Sequence, residues 1–187
     1  SGLDFAIYRS TRNDYVIGWD TNSNLLVEDK RALSLLSDKI LLDGKDQLAS
    51  IERLVFSDKS IALDLSGSAG ITAKILGAIF GKESLSNKNY VGIGLSFLDT
   101  GWTSDNLAGL ALDAAGAKTN DQIVSLLWTN VIGTKPTDKD KQPYIALLEN
   151  GMTAGALAHL AADSNLNTTN INLMGLAETG IEYIPVS

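Results

Sequence analysis

Residues Phe97–Asp113 read FLDTGWTSDNLAGLALD, and residues Leu147–Asp163 read LLENGMTAGALAHLAAD. Laid over one another without a gap, they agree at Leu98/Leu148, Gly101/Gly151, Thr103/Thr153, Leu107/Leu157, Ala108/Ala158, Leu110/Leu160, Ala111/Ala161 and Asp113/Asp163. Each copy reads as a local folding instruction. Gly101 and Gly151 follow an apolar helix end and supply the positive φ that stops it. Two residues on, Thr103 and Thr153 are N-caps for the next helix, because a threonine oxygen accepts from the free amides of a first turn. Leu107, Leu110 and Ala111, repeated as Leu157, Leu160 and Ala161, are expected to form that helix's buried stripe. The passage encodes helix, glycine turn, helix, and it does so twice. A lone helical hairpin cannot cover its own apolar face, whereas a duplicate can.

The helices just upstream repeat as well. Ile71, Ile75 and Ile79 recur at helical spacing with Leu76 and Phe80 beside them, and Ile123, Leu127 and Val131 do the same with Trp128 and Ile132. Thr119 and Gln122 are spaced as a capping box. Gly81 and Gly133 are placed to close the two helices in the left-handed region. The repeat units run over about 68–115 and 119–165, and their mutual packing predicts one six-helix core. A seventh helix is expected from about Thr168/Thr169, with Ile171, Leu173, Met174, Leu176 and Ala177, before a strand-like end, Ile181–Ser187.

Before Gly67 the pattern is β. Phe5, Ile7, Tyr15-Val16-Ile17 and Leu25-Leu26-Val27 are strand formers separated by turn-rich groups at Arg12-Asn13-Asp14 and Asp20–Asn24. After the turn signal Asp43-Gly44, Ile51, Leu54 and Phe56, then Ile61, Leu63 and Leu65, suggest two strands around Ser57–Ser60, with one helical turn at 49–54 as the alternative. The expected class is α+β: a small β region of hairpins over 1–66, then a duplicated helical domain over 67–187.

Composition narrows the functional classes. The 187 residues are 44% hydrophobic and 20% charged, a globular balance. The longest apolar runs fall short of the ~18 residues of a membrane span, so membrane insertion is not expected. No basic stretch followed by an apolar one opens the sequence, so no secretory leader is visible. The net charge is −7 and the bases are not clustered, which disfavours nucleic acid and anionic membranes as partners. With no cysteine, disulfides, thiolate metal sites and cysteine nucleophiles are excluded. After Lys141 there is no Lys or Arg, while Glu149, Asp163, Glu178 and Glu182 remain, which reads either as a solvated acidic face or as an export or interaction tail.

No residue set reads as an active site. His159 is the single histidine, lies off the expected stripe and has Gly109 as its repeat counterpart, so it is expected at the surface. The carboxylate pairs Asp99/Glu149 and Asp113/Asp163 recur with the repeat, at helix ends where solvated acids are common. Two triplets place oxygen ligands at alternate positions, as calcium loops do: Asp20, Asn22 and Asn24, and Asp163, Asn165 and Asn167. Both lack the glycine and the glutamate of an EF-hand; a polar hairpin turn and an Asn-rich helix linker are the plainer readings. Trp102 and Trp128 fit core packing better than sugar stacking. The phosphate, dinucleotide, hydrolase and zinc-protease motifs are absent, and no enzymatic activity is expected.

One stretch carries a resemblance. Gly44–Leu65, GKDQLASIERLVFSDKSIALDL, resembles a segment near the C-terminal ends of RTX-type (haemolysin-type calcium-binding) secreted bacterial proteins. The sequence beyond Leu65 resembles the helical domain of unknown function that accompanies them, in Thr129–Thr134, Pro136, Tyr144, Leu147-Leu148 and Asn150-Gly151, and less closely in Gly77–Gly81. The resemblance covers roughly residues 5–180. It implies type I secretion with an uncleaved C-terminal signal, an extracellular or cell-surface place, and no catalytic residues. The glycine-rich calcium nonapeptides of that family are missing here and would belong to an upstream part of a longer parent chain. The implied role is a non-catalytic C-terminal module of an adhesin or surface-layer type protein, serving export, attachment or assembly. Its implied partners are the secretion machinery, other surface-protein subunits or cell-surface polysaccharide. The alternative is a calcium- or carbohydrate-binding module of an exoprotein, with Ca2+ as the only cofactor to consider.

Overall fold

The computed structural model describes residues 2–22, 24–31 and 42–186; Ser23, inside the expected turn at Asp20–Asn24, and Ser187 lie outside them. Contacts divide the chain into two compact units, Ser1–Leu63 and Asp64–Ser187. The first is made of short strands and the second mainly of helices, so the fold is α+β.

In the first unit, β1 (Phe5–Ile7) runs parallel to β5 (Arg53–Val55), and β5 pairs antiparallel with β6 (Ser60–Ala62). A separate antiparallel sheet has the order β2-β3-β4, from Tyr15–Trp19, Leu25–Asp29 and Lys45–Leu48. The strand-former clusters became strands as their alternation requires, with Leu25 and Val27 of β3 turned inward. The helical alternative at 49–54 is not realised, since Arg53–Val55 is strand and Ser50 has φ +55°. Strand β4, Lys-Asp-Gln-Leu, has one apolar residue and no sequence signal of its own; pairing with β3 makes it a strand. The core is a ring cluster of Tyr8, Tyr15 and Phe56, with centroids 5.0 to 5.3 Å apart, packed with Leu25, Val27, Leu54 and Ile61.

A polar chain ties these strands together. The Tyr15 hydroxyl donates to Asp43, the Asp43 amide donates to Asp29 Oδ2 at 3.0 Å, and Arg31 Nε donates to Asp29 Oδ1 at 2.9 Å. Burial, then the bond to Asp43, pushes the Tyr15 hydroxyl up to about 12. Arg31 donating into Asp29, whose side chain has no exposed surface, holds that carboxyl well below the usual carboxylate range.

The helical unit comprises α1 (Ser68–Phe80), α2 (Lys88–Asp99), α3 (Ser104–Ala114), α4 (Asn120–Ile132), α5 (Asp138–Glu149) and α6 (Ala154–Ala162), then α7 (Asn165–Asn170), α8 (Leu173–Thr179) and β7 (Ile181–Tyr183). The sequence repeat is a structural one, with α1–α3 matched by α4–α6. Both glycine turns are made alike: Gly101 has φ +94° and Gly151 φ +99°. The residues after them, Trp102 and Met152, donate back to Phe97 and Leu147, each at 3.0 Å. Thr103 and Thr153 cap α3 and α6 by accepting from the Asn106 and Ala156 amides. The Thr119–Gln122 capping box is present. Gly133 closes α4 in the left-handed region, but Gly81 has φ +81° with an extended ψ of 160°, because a 3-10 turn over Lys82–Ser86 takes the chain onward.

The main buried cluster draws on α1, α3, α4 and α6, through residues such as Ile75, Ile79, Leu107, Leu112, Leu127, Val131, Leu157 and Ala162, while α2 buries Val91 and Leu95 outside it. Helices α2 and α5 contribute only half-buried side chains to it, Phe97, Leu98, Ile145 and Leu148 among them. The expected stripe needs correction at Leu110 in the first repeat and at Leu160 in the second, where Ala161 is only part-buried as well. Leu107 and Leu157 are 5% and 3% exposed, whereas Leu110 and Leu160 are 39% and 55% exposed. The buried face of α3 is Leu107, Ala108, Ala111 and Leu112, and Leu110 lies about 130° around the helix from its centre. The expected seventh helix is two. Asn172, with φ +51°, breaks it between α7 and α8, as asparagine tolerates the left-handed region.

The two repeats meet at the crossing of α3 and α6. A Cβ built on Gly155 would lie 2.1 Å from the Asp105 carbonyl oxygen, so the two backbones touch there. The repeat counterparts of Gly155 and Gly109 are Asp105 and His159. Around the pseudo-two-fold, the glycine pair on one side thus becomes an Asp–His pair on the other, with His159 Nδ1 2.7 Å from Asp105 Oδ1. His159 Nε2 lies 3.2 Å from Asp163 Oδ2, and Lys74 Nζ of α1 donates to Asp163 Oδ1 at 2.7 Å.

Gly155→Ala forces the α3 and α6 backbones apart and is expected to cost about 1–3 kcal/mol of helical-unit stability by denaturant unfolding. Gly109→Ala, whose Cβ would meet nothing nearer than 4.0 Å, is expected to be neutral or to gain up to about 1 kcal/mol from helix propensity. In the strand unit, a carboxyl held low when folded adds stability above the unfolded aspartate range, and this is lost as pH falls through it. Asp29→Asn is therefore expected to lower the melting temperature at pH 7, and to lose less than the wild type between pH 5 and about pH 2.

Candidate functional site

The residues singled out for calcium do not converge. In the first triplet, Asp20 Oδ1 accepts from the amides of Asn22 and Asn24, both at 2.8 Å. Its Oδ2 accepts from Asn24 Nδ2 at 3.0 Å and from Gln47 Nε2 of β4 at 2.8 Å. Asn24 thus turns its donor, not its oxygen, toward the carboxylate. These bonds, the Asn24 side chain first, lower the Asp20 carboxyl from its ordinary range. The geometry is that of a hairpin turn closed by an aspartate. In the second triplet, Asp163 is at the surface in its pairs with Lys74 and His159, and Asn165 is exposed. Asn167 is buried and donates to the carbonyls of Lys74 at 2.9 Å and Ala162 at 2.8 Å. Among the described residues no group of three or more His, Asp or Glu side chains is arranged to hold a metal ion. The repeat residues Gly81, Gly101, Thr103, Gly133, Gly151 and Thr153 all sit at helix ends and shape the backbone.

The structure draws attention instead to two apolar grooves, one in each repeat. The groove of the second repeat has a volume of about 410 Å³, and its lining includes Leu127, Trp128, Val131, Ile132, Tyr144, Leu157, Leu160 and Leu166, with Asp163 and Ser164. The groove of the first repeat has about 300 Å³, and its lining includes Thr72, Ile75, Leu76, Phe80, Tyr90, Leu107, Leu110 and Ala114. Many of these are the same positions of the repeat: Ile75/Leu127, Leu76/Trp128, Phe80/Ile132, Leu107/Leu157, Leu110/Leu160 and Ala114/Ser164. Each groove also holds an aromatic pair. Trp128 and Tyr144 meet edge to face at 6.0 Å, and Phe80 and Tyr90 meet at 5.4 Å. A volume of this size with a mostly apolar lining suits ligand or side-chain capture.

The grooves exist because the duplicate packs through the Leu107 and Leu157 faces, which leaves a second ridge, Leu110 and Leu160, without cover. Each groove lining includes a residue with a buried polar atom that lacks a hydrogen-bond partner among the described residues, Trp128 Nε1 in one and Thr72 Oγ1 in the other. A buried donor left unpaired costs about 1–3 kcal/mol. Asn130, prominent in the sequence resemblance, plays a structural part: its Nδ2 donates to the carbonyls of Ala78 at 3.2 Å and Ile79 at 2.7 Å, where α1 runs out of helical partners.

No protein-family model matches the chain, and neither the curated proteins nor the solved structures give a match. The geometry of the grooves therefore carries the functional reading.

Leu160→Ser and Leu110→Ser are expected to change helical-unit stability by less than about 0.5 kcal/mol, as exposed positions do. Leu157→Ala, one turn from Leu160, is expected to cost about 2–5 kcal/mol. Chemical denaturation of the three variants checks the assignment of the two leucine ridges.

Proposed function

We propose that this chain is a non-catalytic C-terminal module of a large bacterial secreted or cell-surface protein of the adhesin or surface-layer type, in which the helical unit serves export, attachment or assembly. The observation that carries the reading is the pair of repeat-equivalent apolar grooves, each rimmed by an exposed leucine and lined by side chains that offer contact and no nucleophile–base pair. A groove of this volume with a mostly apolar lining suits capture of a ligand or a side chain. The lack of cysteine, the excess of acid over base and the resemblance of Gly44–Leu65 to a segment of RTX-type secreted proteins support the extracellular part of the reading. The hairpin at Asp20 and the caps at the repeat joints are scaffold for that role.

The test is a fusion of the chain to the C-terminus of a reporter, expressed in a bacterium with and without a type I exporter. The expected result is reporter in the medium or on the cell surface only when the exporter is present. Retention of soluble, folded reporter in the cytoplasm under both conditions would overturn the reading.

A further inference from the structure

We propose that the open cleft where α3 crosses α6 binds a neutral oligosaccharide, with Trp102 as the platform for a sugar ring. The site is separate from the two apolar grooves, sharing with their linings Leu110 alone, and it stands whether or not they bind. The cleft has a volume of about 770 Å³, a size suited to a small ligand. Trp102 stands just before α3, and Asn106, Gly109 and Asp113 follow along one face of that helix, with about 10 Å between the first and the last. The start of α6 lines the cleft from the other side, and Lys118 lines it from the approach to α4. The cleft is open because Gly109 has no side chain. A Cβ built there would meet nothing nearer than 4.0 Å, whereas its repeat counterpart, His159, reaches out to Asp105 and Asp163.

The side chains select the ligand. Core packing is the sequence expectation for Trp102, but the structure leaves it 41% exposed. Its ring rests on Phe97 with 4.3 Å between centroids, and its amide donates to the Phe97 carbonyl at 3.0 Å, so the indole is held in place before a ligand arrives. A fixed and open indole offers the flat apolar surface on which the C–H face of a sugar ring packs. Asn106, Asp113 and Lys118 are exposed, and their side chains have no hydrogen-bond or ion-pair partner among the described residues. Together they supply a carboxylate that accepts, an ammonium that donates and an amide that does both. Sugar hydroxyls donate and accept at neighbouring positions and so satisfy all three. Charge points to a neutral sugar: the two unpaired charges are opposite in sign, and Asp105, which also lines the cleft, is bonded to His159 at 2.7 Å. In the second repeat, Trp102, Asn106 and Gly109 become Met152, Ala156 and His159. The platform, the amide and the gap thus come together once in the duplicated unit.

Affinity electrophoresis tests this, with native gels that carry dextran, mannan or hydroxyethylcellulose as neutral polysaccharides and alginate as an acidic one. The expected result is retardation of the chain by at least one neutral polymer, and by that polymer more than by alginate. Trp102→Ala should abolish it, as should Gly109→His, which puts the second repeat's histidine into the cleft. Met174→Ser, at an exposed position outside the cleft, should leave it unchanged. Circular dichroism establishes that each variant is folded, and either cleft variant suffices if the other is not. Free movement through all three neutral gels, retardation by alginate as strong as by the neutral polymers, or retardation that survives in a folded cleft variant overturns the proposal. Export of the reporter fusion together with free movement in the neutral gels leaves the module reading standing and removes this ligand alone.

Discussion

The helical unit depends on how closely α3 and α6 approach one another. At Gly155 there is no room for a methyl group, because the Asp105 carbonyl occupies the space a Cβ would take. That contact fixes the distance between the two repeats, and with it the burial of Leu107 and Leu157 and the docking of α1 and α4 beside them. The duplication is therefore not symmetric in chemistry. Where one side of the crossing is closed by Gly109 and Gly155, the other is spanned by Asp105 and His159. One pair brings backbones together; the other fills the same place with side chains.

The grooves are the outcome of the same packing. A helix with apolar residues over more than half its circumference can bury only one face against a single partner. Helices α3 and α6 have leucines on two sides, and the duplicate satisfies one of them. The remaining leucines stay at the surface, joined by an aromatic pair from the neighbouring helices, in both repeats. The grooves are unequal: the second has the indole of Trp128 and the carboxylate of Asp163, and the first has no charged side chain in its lining.

Much of this architecture is legible in the sequence, because it is written in local signals. The glycine stops, the threonine caps and the 3.6-residue period each depend on a few adjacent residues, and each is realised except at Gly81, where the ψ is extended. The rest depends on tertiary contact. Leu110 and Leu160 match the apolar period as well as their buried neighbours do, and only the direction of the α3–α6 crossing separates them. Strand β4 has polar residues and exists through pairing with β3. The role of Asn167 is masked by its place in an alternating polar triplet, since nothing local says that its amide ends up buried against the Lys74 carbonyl. Gly109 in the twin repeat points His159 to the surface, and it is part exposed there; its contacts to Asp105 and Asp163 require knowing which helix crosses α6.

The parallel pairing of β1 with β5 sets a condition on how the strand unit forms. Phe5 lies beside Arg53, so that ladder needs a long loop to close, and loop closure must be met before the contacts reward it. The β2–β3 and β5–β6 pairs join residues close in the chain and need no such closure. The helical unit meets the same demand where α3 crosses α6, whose residues Asp105 and His159 are 54 positions apart.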